Sequence, residues 1–133
     1  MSGSRTDLDG QRLVVPGKPE VWLVFNGERH RIPNPTAYDR LFSEVERLIT
    51  SVDVDSIKRG EDLDEDVCLV RPEGGHQIFL VTGSGENIRR HHIVSFETLV
   101  DFGFDIVKTR EVPSILVRAL SEGEPLTSAA RRG

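Results

Sequence analysis

The chain has 133 residues, enough to bury a core without disulfide or metal staples, and its 37% hydrophobic and 29% charged content fits one globular domain. A net charge of −5 and a pI near 5.4 argue against the basic face that nucleic-acid binding normally needs, and a single Trp and Tyr leave few platforms for stacking bases. No apolar run could span a bilayer, and the lone cysteine, Cys68, rules out an internal disulfide or a cysteine-based zinc cluster.

The opening MSGSRTDLDGQ lacks the apolar core of an export signal. The chain as written therefore reads as cytoplasmic, or as secreted or surface-associated if it belongs to a larger system. Residues 1–8 read as a flexible tail. A first strand is predicted at 13–15, followed by a turn, PGKPE, and a second strand at 21–25, VWLVF. Asn26-Gly27 is the favoured pair for a two-residue hairpin turn. A third strand, ERHRI, ends at Ile32. PNPTAYDRLF then reads as a helix start, with Asn34 as cap and Pro35 at the first helical position. A short strand at 48–52 and a brief helix at 54–59 lead into the acidic link EDLDED.

The same plan then recurs. Strands at 67–70 and 78–82 flank the turn PEGGH. A third strand at 88–93 follows the glycine-bearing TGSGEN, and Ser95 caps a helix with Glu97 in its first turn. A strand at 105–108 and a helix at 113–120 complete the copy. Leu13, Val14 and Pro16 are matched to Leu69, Val70 and Pro72, while Trp22, Arg29, His30 and Ile32 are matched to Phe79, Arg90, His91 and Ile93. The expected architecture is a β-rich α+β fold over residues 9–127. It is built of two pseudo-symmetric repeats (9–65 and 66–127), each a three-stranded meander with short helices, sharing one core. Residues 128–133 read as a second flexible tail.

The segments LVRPEGGHQIFLVTGSGENIRRHHI and VWLVFNGERHRIPNPTAYDRLF, with DFGF and GEPL further on, carry a resemblance. They are similar to a short tandem β-rich repeat of bacterial surface and cell-wall-associated proteins. The resemblance covers nearly the whole chain and implies a non-catalytic accessory or binding module, with no catalytic residues to carry over.

Side chains alternate faces along a strand, so His30 shares a face with Ile32, and His91 with Ile93. If the isoleucines point to the core, both histidines sit at its edge as scaffold. Arg29, Arg31, Arg90 and His92 then project from the opposite face, beside Trp22 and Phe79. Arginine forks bind carboxylate or phosphate, and an aromatic neighbour suits a sugar or peptide. These six residues are the candidate ligand-binding set if that face is open; if it is covered, both aromatics are core.

Chemistry beyond binding has little support in the sequence. His91 and His92 point to opposite faces and cannot share a metal. Asp62, Asp64, Asp66 and Glu73 approach a calcium-loop spacing, but Val67 stands where such a loop needs glycine. Cys68 in VCLV reads as a buried, inert thiol. No nucleophile elbow, P-loop or dinucleotide fingerprint occurs. The expectation is a recognition module without cofactor or metal, binding carbohydrate, a cell-envelope polymer or a protein partner and not nucleic acid. The alternative is a cytoplasmic structural or assembly protein that self-associates as a homo-oligomer.

Overall fold

The computed structural model describes residues 3–45, 48–50 and 53–129, and within them nine strands form two sheets. In the first repeat β1 (Arg12–Val14), β2 (Val21–Phe25), β3 (Glu28–Ile32) and β4 (Leu48–Thr50) form a sheet in the order β3-β2-β1-β4. The meander is antiparallel and β4 joins β1 in parallel. In the second repeat β5 (Cys68–Pro72), β6 (Ile78–Thr82), β7 (Arg89–Ile93), β8 (Arg110–Val112) and β9 (Ser121–Glu122) follow the order β8-β5-β6-β7-β9. β9 lies parallel to β7, and a parallel Arg29–Arg59 bridge stands at the matching edge of the first sheet. The two sheets therefore share one topology, as the repetition in the sequence requires. No helix of the described residues is long and apolar enough to cross a membrane.

Local chemistry fixes the joints. Asn26 (φ 53°) and Gly27 (φ 78°) both occupy the left-handed region that a tight hairpin turn demands. α1 (Pro35–Asp39) begins where the Asn34 side chain accepts from the Ala37 amide at 2.8 Å, with proline at its first position. α2 (Phe96–Phe102) begins where Ser95 Oγ accepts from the Thr98 amide at 3.1 Å, and Gly103 (φ 79°) ends it.

The inner faces of both sheets meet in one cluster. Leu23, Phe25, Ile32, Leu41 and Phe42 of the first repeat pack with Leu69, Leu80, Ile93, Leu99 and Phe102 of the second. Each outer face carries a satellite cluster. Leu13, Trp22 and Val24 lie against Val54 and Ile57, and Val70 and Phe79 lie against Val117 of α3 (Ser114–Ala119).

Several sequence expectations shift. Leu13 pairs with Trp22 and Val70 pairs with Phe79, so Leu13 is equivalent to Val70, one residue from the sequence match. Because a one-residue slip exchanges faces, Arg12 then occupies the inward position held by Leu69 in the second repeat. The strand expected at 105–108 is a 3-10 turn, since Asp105 Oδ1 accepts from the Val107 amide at 3.0 Å; the pairing strand is β8. The helix expected at 54–59 is a 3-10 turn, Val54–Ser56. Of the strand expected at 48–52, β4 is seen and residues 51–52 lie outside the described residues.

The predicted tails also change. Residues 3–8 are tied to the first repeat: the Gly3 amide donates to Ser56, Lys58 donates to the Gly3 carbonyl, and Arg5 donates to Gly27. Ser128 donates to Asp101 at 2.7 Å and the Ala129 amide to the Asp9 carbonyl at 3.0 Å; residues 1–2 and 130–133 lie outside the described residues.

Candidate functional site

The two strand histidines converge on one cleft between the repeats. His30 and His91 are 7% and 8% exposed, and with Phe25 they line a cavity of about 380 Å³ that also meets Glu28, Glu61, Thr82, Arg89 and Glu124. Phe25 stacks on His30 at 3.7 Å and meets His91 edge-on at 5.7 Å. Nδ1 of His30 lies 2.8 Å from the Glu61 carbonyl, and Nδ1 of His91 lies 2.9 Å from the Glu124 carbonyl. A carbonyl can only accept, so Nδ1 carries the proton in His91; in His30 both ring nitrogens face carbonyls, and the 2.8 Å contact places the proton on Nδ1 over Nε2, which lies 3.4 Å from the Phe25 carbonyl. Nε2 of His91 then accepts from the Thr82 hydroxyl at 2.9 Å. Burial holds both imidazoles below their ordinary value of 6.5, against the opposing pull of those carbonyls.

Both rings lie against a glycine. A Cβ on Gly60 would come 2.4 Å from His30 Cε1, and one on Gly123 would come 2.4 Å from His91 Cε1. RGEDL and EGEPL thus share one device: a glycine that admits the ring, then a glutamate whose carbonyl fixes it, then a core leucine (Leu63 or Leu126). Among the described residues no hydrogen bond joins either histidine to a carboxylate, and Glu28 and Glu124 act on the rings through their charge.

Five of the six candidate ligand residues divide into two groups on covered sheet faces. Trp22 is 7% exposed, and the guanidiniums of Arg29 and Arg59 lie over its ring, with Cζ atoms 4.4 and 5.2 Å from the ring centre. Arg29 Nε donates to the Ile57 carbonyl at 3.0 Å. In the second repeat Phe79, also 7% exposed, lies under Arg90 and beside His92, 5.5 Å between rings. Arg90 Nη1 donates to the Val117 and Leu120 carbonyls at 2.6 and 2.7 Å, and Nη2 pairs with Glu122 at 2.9 Å. Arg29 and Arg90 thereby fasten the C-terminal segment of each repeat over its aromatic, and Arg90 satisfies carbonyls left open at the end of α3. A polar hollow of about 300 Å³ remains beside Phe79, Arg90 and His92. Arg31 differs, with its side chain 43% exposed and 3.8 Å from Asp62.

Arg31 instead borders a groove of about 580 Å³ that the sequence did not single out. Its walls are residues 19–21, the end of β3, the start of α1, residues 43–45 and Leu48, with Val21, Ile32, Pro33, Tyr38, Val45 and Leu48 supplying apolar surface. Buried Arg12 builds the wall. Its Nη1 donates to Tyr38 Oη at 2.7 Å and to the Glu44 carbonyl at 3.0 Å, and its guanidinium stacks 4.4 Å from the Phe42 ring. The Tyr38 hydroxyl donates in turn to the Glu44 carbonyl. Leucines 69 and 99 stand at the equivalent places in the second repeat and pack into the core. The second repeat instead leaves Val94, Phe96 and Val100 41%, 61% and 46% exposed at the equivalent helix start. Phe96 and Val100 are four residues apart and share one face of α2.

No family model, curated protein or solved structure matches this chain. Among the described residues no group of three or more His, Cys, Asp or Glu could hold a metal ion. In the acidic link Asp62 faces Arg59 at 2.7 Å, and the Asp64 carboxylate accepts the Asp66 amide at 2.9 Å. Cys68 is half-buried, and burial raises its thiol above the ordinary value. The signal for the groove was present in the sequence as a charged residue, Arg12, at an inward strand position, and as the lone tyrosine on α1.

Proposed function

We propose that the chain is a non-catalytic recognition module for a protein partner, binding at the helix-start face of each repeat. One observation carries the reading: the same structural position presents accessible apolar surface twice. In the first repeat it is the groove beside Tyr38, and in the second it is the exposed Val94, Phe96 and Val100. Concave apolar surface with a few fixed polar groups is the usual form of a binding site, and exposed apolar patches mark contact surfaces. Two such faces on one body allow bivalent engagement of a partner. On the strand faces Trp22 and Phe79 are 7% exposed and supply no open aromatic plane for stacking a sugar.

The test is a peptide-display selection on the folded chain, followed by affinity measurements on Val45→Ser and on the pair Phe96→Ser and Val100→Ser. Selected peptides should lose about tenfold or more in affinity for one of these variants, as apolar anchors at an interface do. Undiminished binding to both would overturn the reading. Self-association is the second reading, favoured because, among the described residues, seven of the nine exposed large hydrophobics (all except Val45 and Ile49) lie in the second repeat. Sedimentation across a concentration series distinguishes it: a dimer lost on Phe96→Ser makes a second copy the partner.

A further inference from the structure

The groove has a charge pattern as well as a shape. Glu20, Asp39 and Glu44 stand around it, and among the described residues none of the three carboxylates forms an ion pair. Among the described residues its one lining cation, Arg31, is near Asp62, and Arg12 is buried in the wall behind Tyr38. The fold does not need this charge: the second repeat has Gln77 in place of Glu20 and Val100 in place of Asp39, and keeps the same strands and capped helix. The groove is also held open before any ligand arrives, since Arg12 and Tyr38 tether the Glu44 carbonyl. Pre-formed walls reduce the ordering cost of binding, and complementary charge selects the partner.

We propose that this groove takes a cationic, apolar segment of a protein partner; the inference rests on the recognition role given above and specifies its chemistry. Apolar side chains of the segment would sit against Val21, Ile32 and Leu48, while Lys or Arg side chains reach the carboxylates at the rim. The second repeat's equivalent face, with Gln77 and Val100 in place of Glu20 and Asp39, would accept uncharged apolar side chains.

The experiment uses fluorescently labelled short peptide pools of equal Leu, Val and Pro content. Their remaining positions are Lys/Arg in one pool, Asp/Glu in the second and Ser/Gln in the third. Anisotropy is read on the whole chain and on the triple variant E20Q, D39N and E44Q, with amide shifts of Val21, Ile32 and Leu48 locating the contact. The Lys/Arg pool should bind tightest and weaken as salt is added. It should lose about tenfold on the triple variant, the combined effect of three modest exposed pairs. Tighter binding of the Asp/Glu or Ser/Gln pool at these amides, or binding unaltered by the triple substitution, overturns the cationic assignment and leaves recognition standing. If no pool moves these amides or those of Val94, Phe96 and Val100, the assignment and the recognition role both fall.

Discussion

Gly123→Ala is the sharpest stability test of the histidine device. Gly123 does not have a positive φ, so its backbone suits alanine, and in open space the change would stabilise by about 0.4–1 kcal/mol. The space is closed. The new Cβ would lie 2.4, 2.7 and 3.1 Å from Cε1, Nδ1 and Nε2 of His91, where ordinary contacts begin at 3.4 Å. The ring must retreat, which strains the packing by about 1–3 kcal/mol. Its hydrogen bond to Glu124 is lost with it, at about 1 kcal/mol. Set against the backbone gain, the expected net cost is about 1–3 kcal/mol in urea unfolding, with the opposite sign from an unobstructed Gly→Ala. Repeating the substitution on a His91→Ala background isolates the cause: the penalty should vanish there. An equal cost in both backgrounds would refute the steric argument.

Other expectations follow from the same contacts. Because burial lowers both histidine pKa values, the unfolded chain takes up protons that the folded chain refuses as pH falls through 6.5. Stability should decline below that pH and level off beneath the folded-state values; denaturation at a series of pH values should show a flatter limb for His30→Gln with His91→Gln. Arg90→Met should cost about 2–3 kcal/mol by orphaning two carbonyls that receive charged hydrogen bonds, while affinity for a helix-face peptide is unaltered. Asn34→Ala and Ser95→Ala should each cost about 1 kcal/mol in urea titrations. Arg12→Leu installs the second repeat's residue and should change stability by less than about 1 kcal/mol, since a buried charge is often replaceable by an apolar side chain. It should nevertheless weaken peptide binding at the groove, as measured by anisotropy.

The architecture was legible because it is written in local signals that need no long-range knowledge. Asn26-Gly27, the Asn34 and Ser95 caps and the alternation through His30 and Ile32 each specify one joint or one face, and the duplication makes each a check on the other. The inward placing of His30 and His91 follows from that alternation. The match of Leu13 to Leu69 failed because adjacent apolar residues, LVV and CLV, fit two registers equally well, and only pairing across the sheet selects one. The short segments after each meander were misplaced for a related reason. Three or four residues carry little periodicity, so Asp105 capping a turn decides the outcome. Arg29 and Arg90 showed their facing in the sequence, but not the carbonyls that engage them, which come from residues 27 to 30 positions further along. The groove went unread because its walls come from several separated segments, and its two signals, Arg12 and Tyr38, meet only in the fold: Arg12 was read as lying outside the strand.

The most direct test of the partner-recognition account is an amide chemical-shift map of the chain with a display-selected peptide bound. Shifts should concentrate at Val21, Ile32, Tyr38 and Val45 or at Val94, Phe96 and Val100, leaving Trp22 and Phe79 unmoved. A map centred instead on Arg29, Trp22, Arg90 and Phe79 would return recognition to the strand faces and contradict the account.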